Sequence, residues 1–253
     1  MKKYKLTEET IIVNGRTLYR IEALRDFAYI KKGDKGGFVE KENNLSQYGD
    51  SWVDDDAKVF GNAQVCGNAR IYGNAIVRGN AQVYGHASVR GNAEVYGHAD
   101  ICGDAQVYDY AEVCGNAEVY DNAEVLGNAE VYDNAKVFEN AEVSFDAKVY
   151  DNAKVYEYAM VQGNAKVYGN AEIRTNACIY GDAVIDSIGD YIVFKNFWSS
   201  GRSFTWTRSN DMWKVGCFYG TGEELIKKAY KDSEISGKEY ERIVKYVETI
   251  KGK

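Results

Sequence analysis

The sequence contains no proline and only two histidines among its 253 residues. It has no apolar run of about 18 residues, the length that a membrane-spanning helix requires. Its first residues, MKKYKLTEETIIVNG, lack the apolar core of a secretory leader. The five cysteines are odd in number and form no C-x-x-C pair, which favours free thiols in a reducing compartment, with a metal site or an intermolecular disulfide as alternatives. We therefore expect a cytoplasmic protein without a membrane anchor.

Charge is distributed unevenly along the chain. Residues 1–50 carry 10 basic and 8 acidic side chains, residues 51–186 carry 9 and 21, and residues 187–253 carry 12 and 9. The net charge of -7 therefore arises in the middle of the sequence, and both ends are slightly basic.

A six-residue repeat occupies this acidic middle. Alanine recurs every six residues from Ala57 to Ala183, 22 times without an insertion, and Val or Ile follows two residues after each alanine. With a period of two, the alanine and the aliphatic residue point inward and the residue between them points outward. Tyr often comes next, followed by Gly or Asp and, in 14 of the 22 hexamers, Asn. Since Gly and Asn tolerate positive φ, the hexamer predicts a short strand and a corner.

Strands this short bury too little surface alone, so successive hexamers must wind into stacked coils. An aliphatic residue followed four positions later by a small one, as in Val119 and Ala123, resembles the hexapeptide-repeat proteins of the left-handed parallel β-helix type. The resemblance implies an all-β solenoid with three hexapeptides per coil. At about 4.8 Å per coil, the 22 hexamers would form about seven coils and a rod of roughly 35 Å.

The segments that flank the repeat are not periodic and must cap the solenoid. We divide the chain into an N-terminal β-hairpin and cap (1–50), the hexapeptide β-helix (51–186) and a small C-terminal α+β domain (187–253). The hairpin is predicted to turn at Asn14-Gly15, and Ser51 and Val53 already occupy the alanine and valine positions. The C-terminal part predicts three strands, DYIVFKNFW, RSFTWTRS and MWKVGCF, and then two helices. The helices would begin at the capping boxes Thr221-x-x-Glu224 and Ser236-x-x-Glu239.

A second resemblance covers most of the chain. The segments GGFVEKENNLS, GNAxVYGNA and VGCFYGTGEEL together resemble a group of phage and prophage proteins with GNAxVY repeats, most of them without an assigned function. The resemblance implies a phage origin and the cytoplasm of an infected bacterium. It carries over no catalytic residue.

The hexapeptide fold raises the hypothesis of an acyltransferase, in which a histidine deprotonates the acceptor and a coenzyme thioester lies along the prism. His86 and His98 both occupy the corner position that usually holds Asn. Being 12 residues apart, they fall on different corners and cannot act as a pair. We therefore expect no enzymatic activity, no catalytic residue, no cofactor and no metal, with acyl transfer as the least favoured function.

Because each position returns after 18 residues, the outer surface can be mapped from the sequence. Two corners carry aromatic ladders, which either stack within the rod or form an interface. We select as candidate binding residues the ladder tyrosines Tyr84, Tyr96, Tyr120, Tyr132, Tyr150, Tyr156 and Tyr168. The tryptophans of the C-terminal part, Trp198, Trp206 and Trp213, are further candidates.

Acidic side chains form a band along the rod, with 13 Asp and Glu and one Lys between residues 91 and 147. From its outward strand positions we select Glu94, Glu112, Glu118, Glu124 and Glu130 as further candidate binding residues. Lys148 and Lys166 follow in the same ladder as Glu130, so that an antiparallel pair of rods would set acid against base and favour a homodimer. The density of carboxylates also approaches that of the phosphates of duplex DNA.

Two function classes remain open besides acyl transfer. The first is a non-enzymatic scaffold or adaptor that binds a host or phage protein through its aromatic edges or C-terminal domain. The second is a phage counter-defence inhibitor, anti-CRISPR-like or otherwise nuclease-blocking, that acts as an acidic nucleic-acid mimic or holds a host nuclease through its C-terminal domain. Neither requires direct nucleic-acid binding or a membrane.

Overall fold

The computed structural model describes residues 2–251. The chain opens with β1 (Tyr4–Val13), β2 (Arg16–Ala23) and β3 (Lys35–Val39). Two-residue strands β4 to β26 follow, and they are, in chain order, Trp52–Val53, Lys58–Val59, Gln64–Val65, Arg70–Ile71, Ile76–Val77, Gln82–Val83, Ser88–Val89, Glu94–Val95, Asp100–Ile101, Gln106–Val107, Glu112–Val113, Glu118–Val119, Glu124–Val125, Glu130–Val131, Lys136–Val137, Glu142–Val143, Lys148–Val149, Lys154–Val155, Met160–Val161, Lys166–Val167, Glu172–Ile173, Cys178–Ile179 and Val184–Ile185.

The C-terminal unit consists of four strands and two helices. They are β27 (Tyr191–Lys195), β28 (Ser203–Thr207), β29 (Met212–Val215), β30 (Phe218–Gly220), α1 (Gly222–Asp232) and α2 (Glu234–Ile250). Single 3₁₀ turns at Glu42–Asn44 and Ile188–Asp190 precede the solenoid and this unit. Neither helix in the described part of the chain is long and apolar enough to cross a membrane.

The two-residue strands form three parallel faces. Every third strand pairs with its neighbour in register, so that the faces are β5-β8-β11-β14-β17-β20-β23-β26, β6-β9-β12-β15-β18-β21-β24 and β4-β7-β10-β13-β16-β19-β22-β25. All 22 repeat alanines and their 22 Val or Ile partners are at most 1% exposed. The predicted all-β parallel solenoid with inward alanine and valine is therefore confirmed.

The corner residues have two separate tasks. Positive φ occurs at the fifth position of the hexamer, as at Gly115 (70°) and Asp121 (58°), where Gly adopts the left-handed region at least cost. The Asn that follows was expected to share this conformation, but none of the repeat Asn residues has positive φ. Its side chain instead extends a ladder of amides, because Asn116 Nδ2 donates to Asn134 Oδ1 at 3.1 Å.

Hydrogen bonds between coils have a constant direction at the strand centres. The strand-centre N–H donates to the alanine carbonyl of the next coil, as from Lys58 N to Ala75 O at 2.9 Å. The first coil is therefore left with carbonyls and the last coil with N–H groups. Buried backbone groups of either kind need partners.

The N-terminal hairpin supplies donors to the first coils. Its turn has positive φ at Asn14 (51°) and Gly15 (75°), which confirms the predicted hairpin. The buried Lys3 ammonium donates to Ser51 O at 2.7 Å and to Gly49 O at 3.4 Å. Arg20 donates through Nη1 to the carbonyls of Gly36 and Asp55 at 2.8 and 3.2 Å.

The C-terminal sheet supplies acceptors to the last coil. Cys178 N donates to Thr205 Oγ1 at 2.9 Å, and Val184 N donates to Ser209 Oγ at 2.8 Å. Thr205 lies on the sheet face turned toward the solenoid, because strand residues alternate between faces. The opposite face packs with both helices around a second core of Phe204, Trp206, Trp213, Val215, Leu225, Ala229, Tyr240, Val244 and Val247.

Three predictions for the C-terminal unit need correction. β30 was missed, so the sheet has four strands instead of three, and β27 ends at Lys195 before the Phe and Trp that were assigned to it. The capping box at Thr221 and Glu224 is confirmed. The box at Ser236 is wrong, because Ser233 caps α2 by accepting a bond from Ser236 N at 3.0 Å.

The position of Lys3 makes the stability of the N-terminal cap depend on pH. Burial lowers the pKa of Lys3 from 10.5 to about 8, so the folded chain releases this proton at lower pH than the unfolded chain. Between pH 8 and 10.5 the unfolded state binds more protons, and stability rises with pH. We expect a rise of up to about 3 kcal/mol at 1.36 kcal/mol per pKa unit.

Urea unfolding of wild type and Lys3→Met at several pH values between 7 and 10.5 measures this rise. Other titrating groups cancel in the difference between the two proteins, because both contain them. The free energy of unfolding of wild type should increase relative to the variant across that range. A difference that stays constant with pH would contradict the assignment.

Candidate functional site

Aromatic rings stack along two corners of the solenoid. Tyr120, Phe138 and Tyr156 form one stack with ring centroids 4.9 Å apart. Tyr132, Tyr150 and Tyr168 form the other, at 4.9 and 5.1 Å, with interplanar angles of at most 9°. All six rings are half-buried, so much of their surface is covered by the neighbouring coil.

Tyr84 and Tyr96 belong to the same ladders but stack on no ring. Cys102 and Cys114 occupy the next coil at their positions, and the tyrosine hydroxyls donate instead to Asp100 (3.2 Å) and Glu112 (3.1 Å). The Arg78 guanidinium covers the Tyr96 ring at 4.0 Å from its centroid. The structure thus assigns these two tyrosines to hydrogen bonds within the rod.

The five candidate glutamates also have partners inside the chain. Glu118 pairs with Lys136 at 2.8 Å, and Glu130 pairs with Lys148 at 2.7 Å, each across one coil. Further contacts join Glu94 to Arg78, Glu112 to Tyr96 and Glu124 to Tyr108. The sequence suggested that acidic and basic ladder positions would pair between two antiparallel rods. Glu130 and Lys148 instead form their ion pair within one rod.

Both histidines continue the amide ladders of the corners. Asn68 Nδ2 lies 3.3 Å from His86 Nε2, and Asn80 Nδ2 lies 3.3 Å from His98 Nε2. Each imidazole is exposed and takes the place of the Asn that other coils carry. The geometry at both positions is that of a corner substitution.

The three candidate tryptophans separate into two groups. Trp206 and Trp213 are each 1% exposed and lie in the core between the C-terminal sheet and the helices. They cannot serve as a binding surface, because strand alternation turns both toward the helices. Trp198 is 90% exposed, and its neighbour Phe197 is 80% exposed.

A short loop between β27 and β28 presents these two rings to solvent. The loop is held by buried Asn196, whose Oδ1 accepts bonds from Trp198 N (2.9 Å) and Ser199 N (3.1 Å). Asn196 Nδ2 donates to Glu239 on α2 at 3.2 Å. Side chains that bond to nearby backbone in this way stabilise tight turns, so the exposed rings project from an ordered base.

An open groove of about 510 Å³ adjoins the loop. Its apolar lining comes from Phe194, Trp198 and Ile243, and its polar lining from Lys195, Asn196, Glu239 and Arg242. Arg242 and Lys195 form no ion pair within residues 2–251. An apolar groove with unpaired cations at its rim is suited to a ligand that has an apolar group beside a carboxylate.

Sequence reasoning missed Phe197, Glu239 and Arg242. The signal for the loop was present in KNFWSSG, residues 195–201, where Asn, two serines and Gly mark a turn. The helix residues carried no signal, because only the packing of α2 against the loop brings them to the groove.

The fold is a parallel β-solenoid that carries a small unit of four strands and two helices at its C-terminal end. One family description matches the chain, the YdcK beta-solenoid repeat, over residues 63–79. This match covers one coil and shows similarity to the repeat of that family. No curated protein matches the chain in a comparison of sequences.

The ring stacks predict different effects at equivalent tyrosines. Tyr150→Ala removes two stacked contacts, whereas Tyr84→Ala, at the same repeat position, removes none. Stacked pairs contribute about 0.5 to 1.5 kcal/mol each beyond area burial. Tyr84→Ala removes the hydrogen bond to Asp100, worth about 1 kcal/mol, so we expect Tyr150→Ala to lower the free energy of unfolding by up to about 2 kcal/mol more than Tyr84→Ala, as measured by urea unfolding. Equal losses would show that the stacks stabilise the rod no more than that hydrogen bond does.

Proposed function

We propose that the protein is a non-enzymatic scaffold or adaptor, in which the solenoid holds the C-terminal unit and this unit binds a partner protein. The observation that carries the proposal is the pair of exposed rings, Phe197 and Trp198, on a loop held by Asn196. Tryptophan is enriched among the residues that dominate binding energy at protein interfaces. A solvent-exposed pair on an ordered loop is already arranged for such a contact.

The chemistry of the groove restricts the partner. Phe194, Trp198 and Ile243 accept an apolar side chain, and Arg242, which forms no ion pair in the described chain, lines the groove together with Glu239. A protein segment with an apolar anchor and a neighbouring Asp or Glu satisfies both features. The shape of the groove and its polar rim then favour binding of this segment over binding of other apolar segments.

Four forms of the protein test the proposal by affinity capture from bacterial lysate with mass spectrometry. They are wild type, Phe197→Ser with Trp198→Ser, a charge-reversed rod, and a matched control of Tyr48→Ser with Tyr110→Ser. The control removes rings that are 85% and 64% exposed at other places. We expect at least a tenfold loss of a specific partner with the loop variant and retention with the control.

The rod variant changes Glu94, Glu112, Glu118, Glu124 and Glu130 to Lys and tests the counter-defence alternative. A partner captured by wild type and lost only from this variant would favour an acidic nucleic-acid mimic and contradict the adaptor proposal. Three of the five glutamates are ion-paired within the rod, which weakens their use as phosphate analogues. The geometry therefore favours the adaptor over the inhibitor.

We also propose that the chain forms a homodimer through one aromatic edge. The stacks leave half-buried rings in a continuous row, and aromatic rows of this kind are common at interfaces. Light scattering at tens of micromolar should give twice the monomer mass of 28.4 kDa. Tyr132→Ser with Tyr150→Ser should then restore the monomer, whereas a wild-type monomer mass would rule out the dimer.

A further inference from the structure

A second cleft lies where the last coils of the solenoid meet the C-terminal sheet. Its volume is about 450 Å³, within the range of about 300 to 1,000 Å³ typical of small-molecule sites. The solenoid contributes five lining residues and the C-terminal unit seven, which are Tyr158, Met160, Gln162, Asn176, Cys178, Lys195, Gly201, Arg202, Ser203, Thr205, Lys214 and Gly216. No lining residue is acidic.

Three cations line this cleft without a counterion. Lys195 and Lys214 lie on the solenoid-facing side of the sheet, in register with Ser203 and Thr205 on the strand between them. Arg202 precedes that strand. None of the three cations forms an ion pair in the described chain, although the C-terminal unit contains four such pairs elsewhere. The Lys214 ammonium lies 4.4 Å from the centroid of the Tyr180 ring, and three cations that line one cleft without a carboxylate partner favour an anionic ligand.

The repeat departs from its own pattern at the residues that form the solenoid wall of this cleft. Met160 and Cys178 follow Glu124 and Glu142 in the same ladder of strand centres, so the face loses its carboxylates where it reaches the cleft. Tyr158 replaces the corner Asn, and its ring is 63% exposed. An apolar floor and an exposed ring at the wall are suited to a planar aromatic group.

Hydroxyl and amide groups complete the polar lining. Thr205 Oγ1 accepts a bond from Cys178 N at 2.9 Å, which leaves its O–H available as a donor. The nearest strand-centre glutamate, Glu142, is occupied, because it accepts bonds from Gln162 (2.8 Å) and Ser144 (2.6 Å). The lining thus offers cationic and neutral donors together.

From this arrangement we infer that the cleft is a binding site for an organic phosphate of nucleotide size. Phosphate oxygens contact Arg202, Lys214 and Lys195, and the base stacks on Tyr158 above Met160. Arginine and lysine are the side chains that proteins use most for phosphate recognition. Lys195 lines both this cleft and the groove beside Trp198, so the variants that test the two sites apart leave Lys195 unchanged.

Isothermal titration calorimetry of the full chain with ADP, adenosine and inorganic phosphate tests the inference. We expect saturable ADP binding and at least tenfold weaker binding of adenosine and of phosphate, since each has only half of the contacts. Arg202→Ala with Lys214→Ala should reduce ADP affinity at least tenfold. Arg208→Ala, which removes an exposed cation of the same unit outside the cleft, is the matched control and should have no effect.

The variant Tyr158→Asn tests the contribution of the base to binding separately from that of the phosphate. This change restores the corner residue of the repeat and should therefore leave the fold intact, which thermal melting verifies. It should weaken ADP binding about tenfold and leave phosphate binding unchanged. Binding of phosphate as tight as that of ADP, or ADP binding insensitive to the Arg202 and Lys214 changes, would overturn the inference, as would no ADP binding at millimolar concentration. Phe197→Ser with Trp198→Ser should bind ADP normally.

Discussion

The hydrogen bond from a strand-centre N–H to the alanine carbonyl one coil later sets the requirements for everything outside the repeat. Because this hydrogen bond always has the same direction, the first coil is left with carbonyls and the last coil with N–H groups that have no partner in the repeat. A buried unpaired group costs about 1 to 3 kcal/mol. The hairpin therefore brings Lys3 and Arg20 as donors to the carbonyls of Ser51 and Asp55, and Thr205 on β28 and Ser209 in the turn after it accept bonds from the last coil.

The unbroken period of six predicts stacked coils with alanine and valine inside, and the resemblance to hexapeptide-repeat proteins implies three hexamers per coil. The period predicts the ladders of the outer surface as well. It does not predict the caps, because the acceptors of Lys3 lie 46 and 48 residues away in sequence. The preference of Asn for positive φ did not explain its place at the corners either, because there its side chain forms a hydrogen bond to the next coil.

For the candidate site, the ladder positions of the tyrosines were predictable and their neighbours decided their roles. Tyr150 has an aromatic ring on each side, whereas Tyr84 has a cysteine in the next coil, and this difference is visible in the sequence. The division among the tryptophans depended on tertiary packing. Trp206 and Trp213 are paired across β28 and β29 on the helix-facing side, while Trp198 was predicted to end a strand and lies in the loop after β27, which ends at Lys195.

A regular repeat presents the same groups at every coil, so specific recognition requires positions where the pattern changes. The rod keeps its inward residues constant throughout, whereas its outward residues vary, including at the coils next to the C-terminal unit. There Met160 and Cys178 replace charged strand centres, and Tyr158 replaces a corner Asn. These substitutions bury no new charge and leave the coil geometry intact, so they are tolerated by the solenoid. The repeat thus supplies a stable frame, and its junction with the C-terminal sheet supplies the chemical variety of the proposed phosphate site.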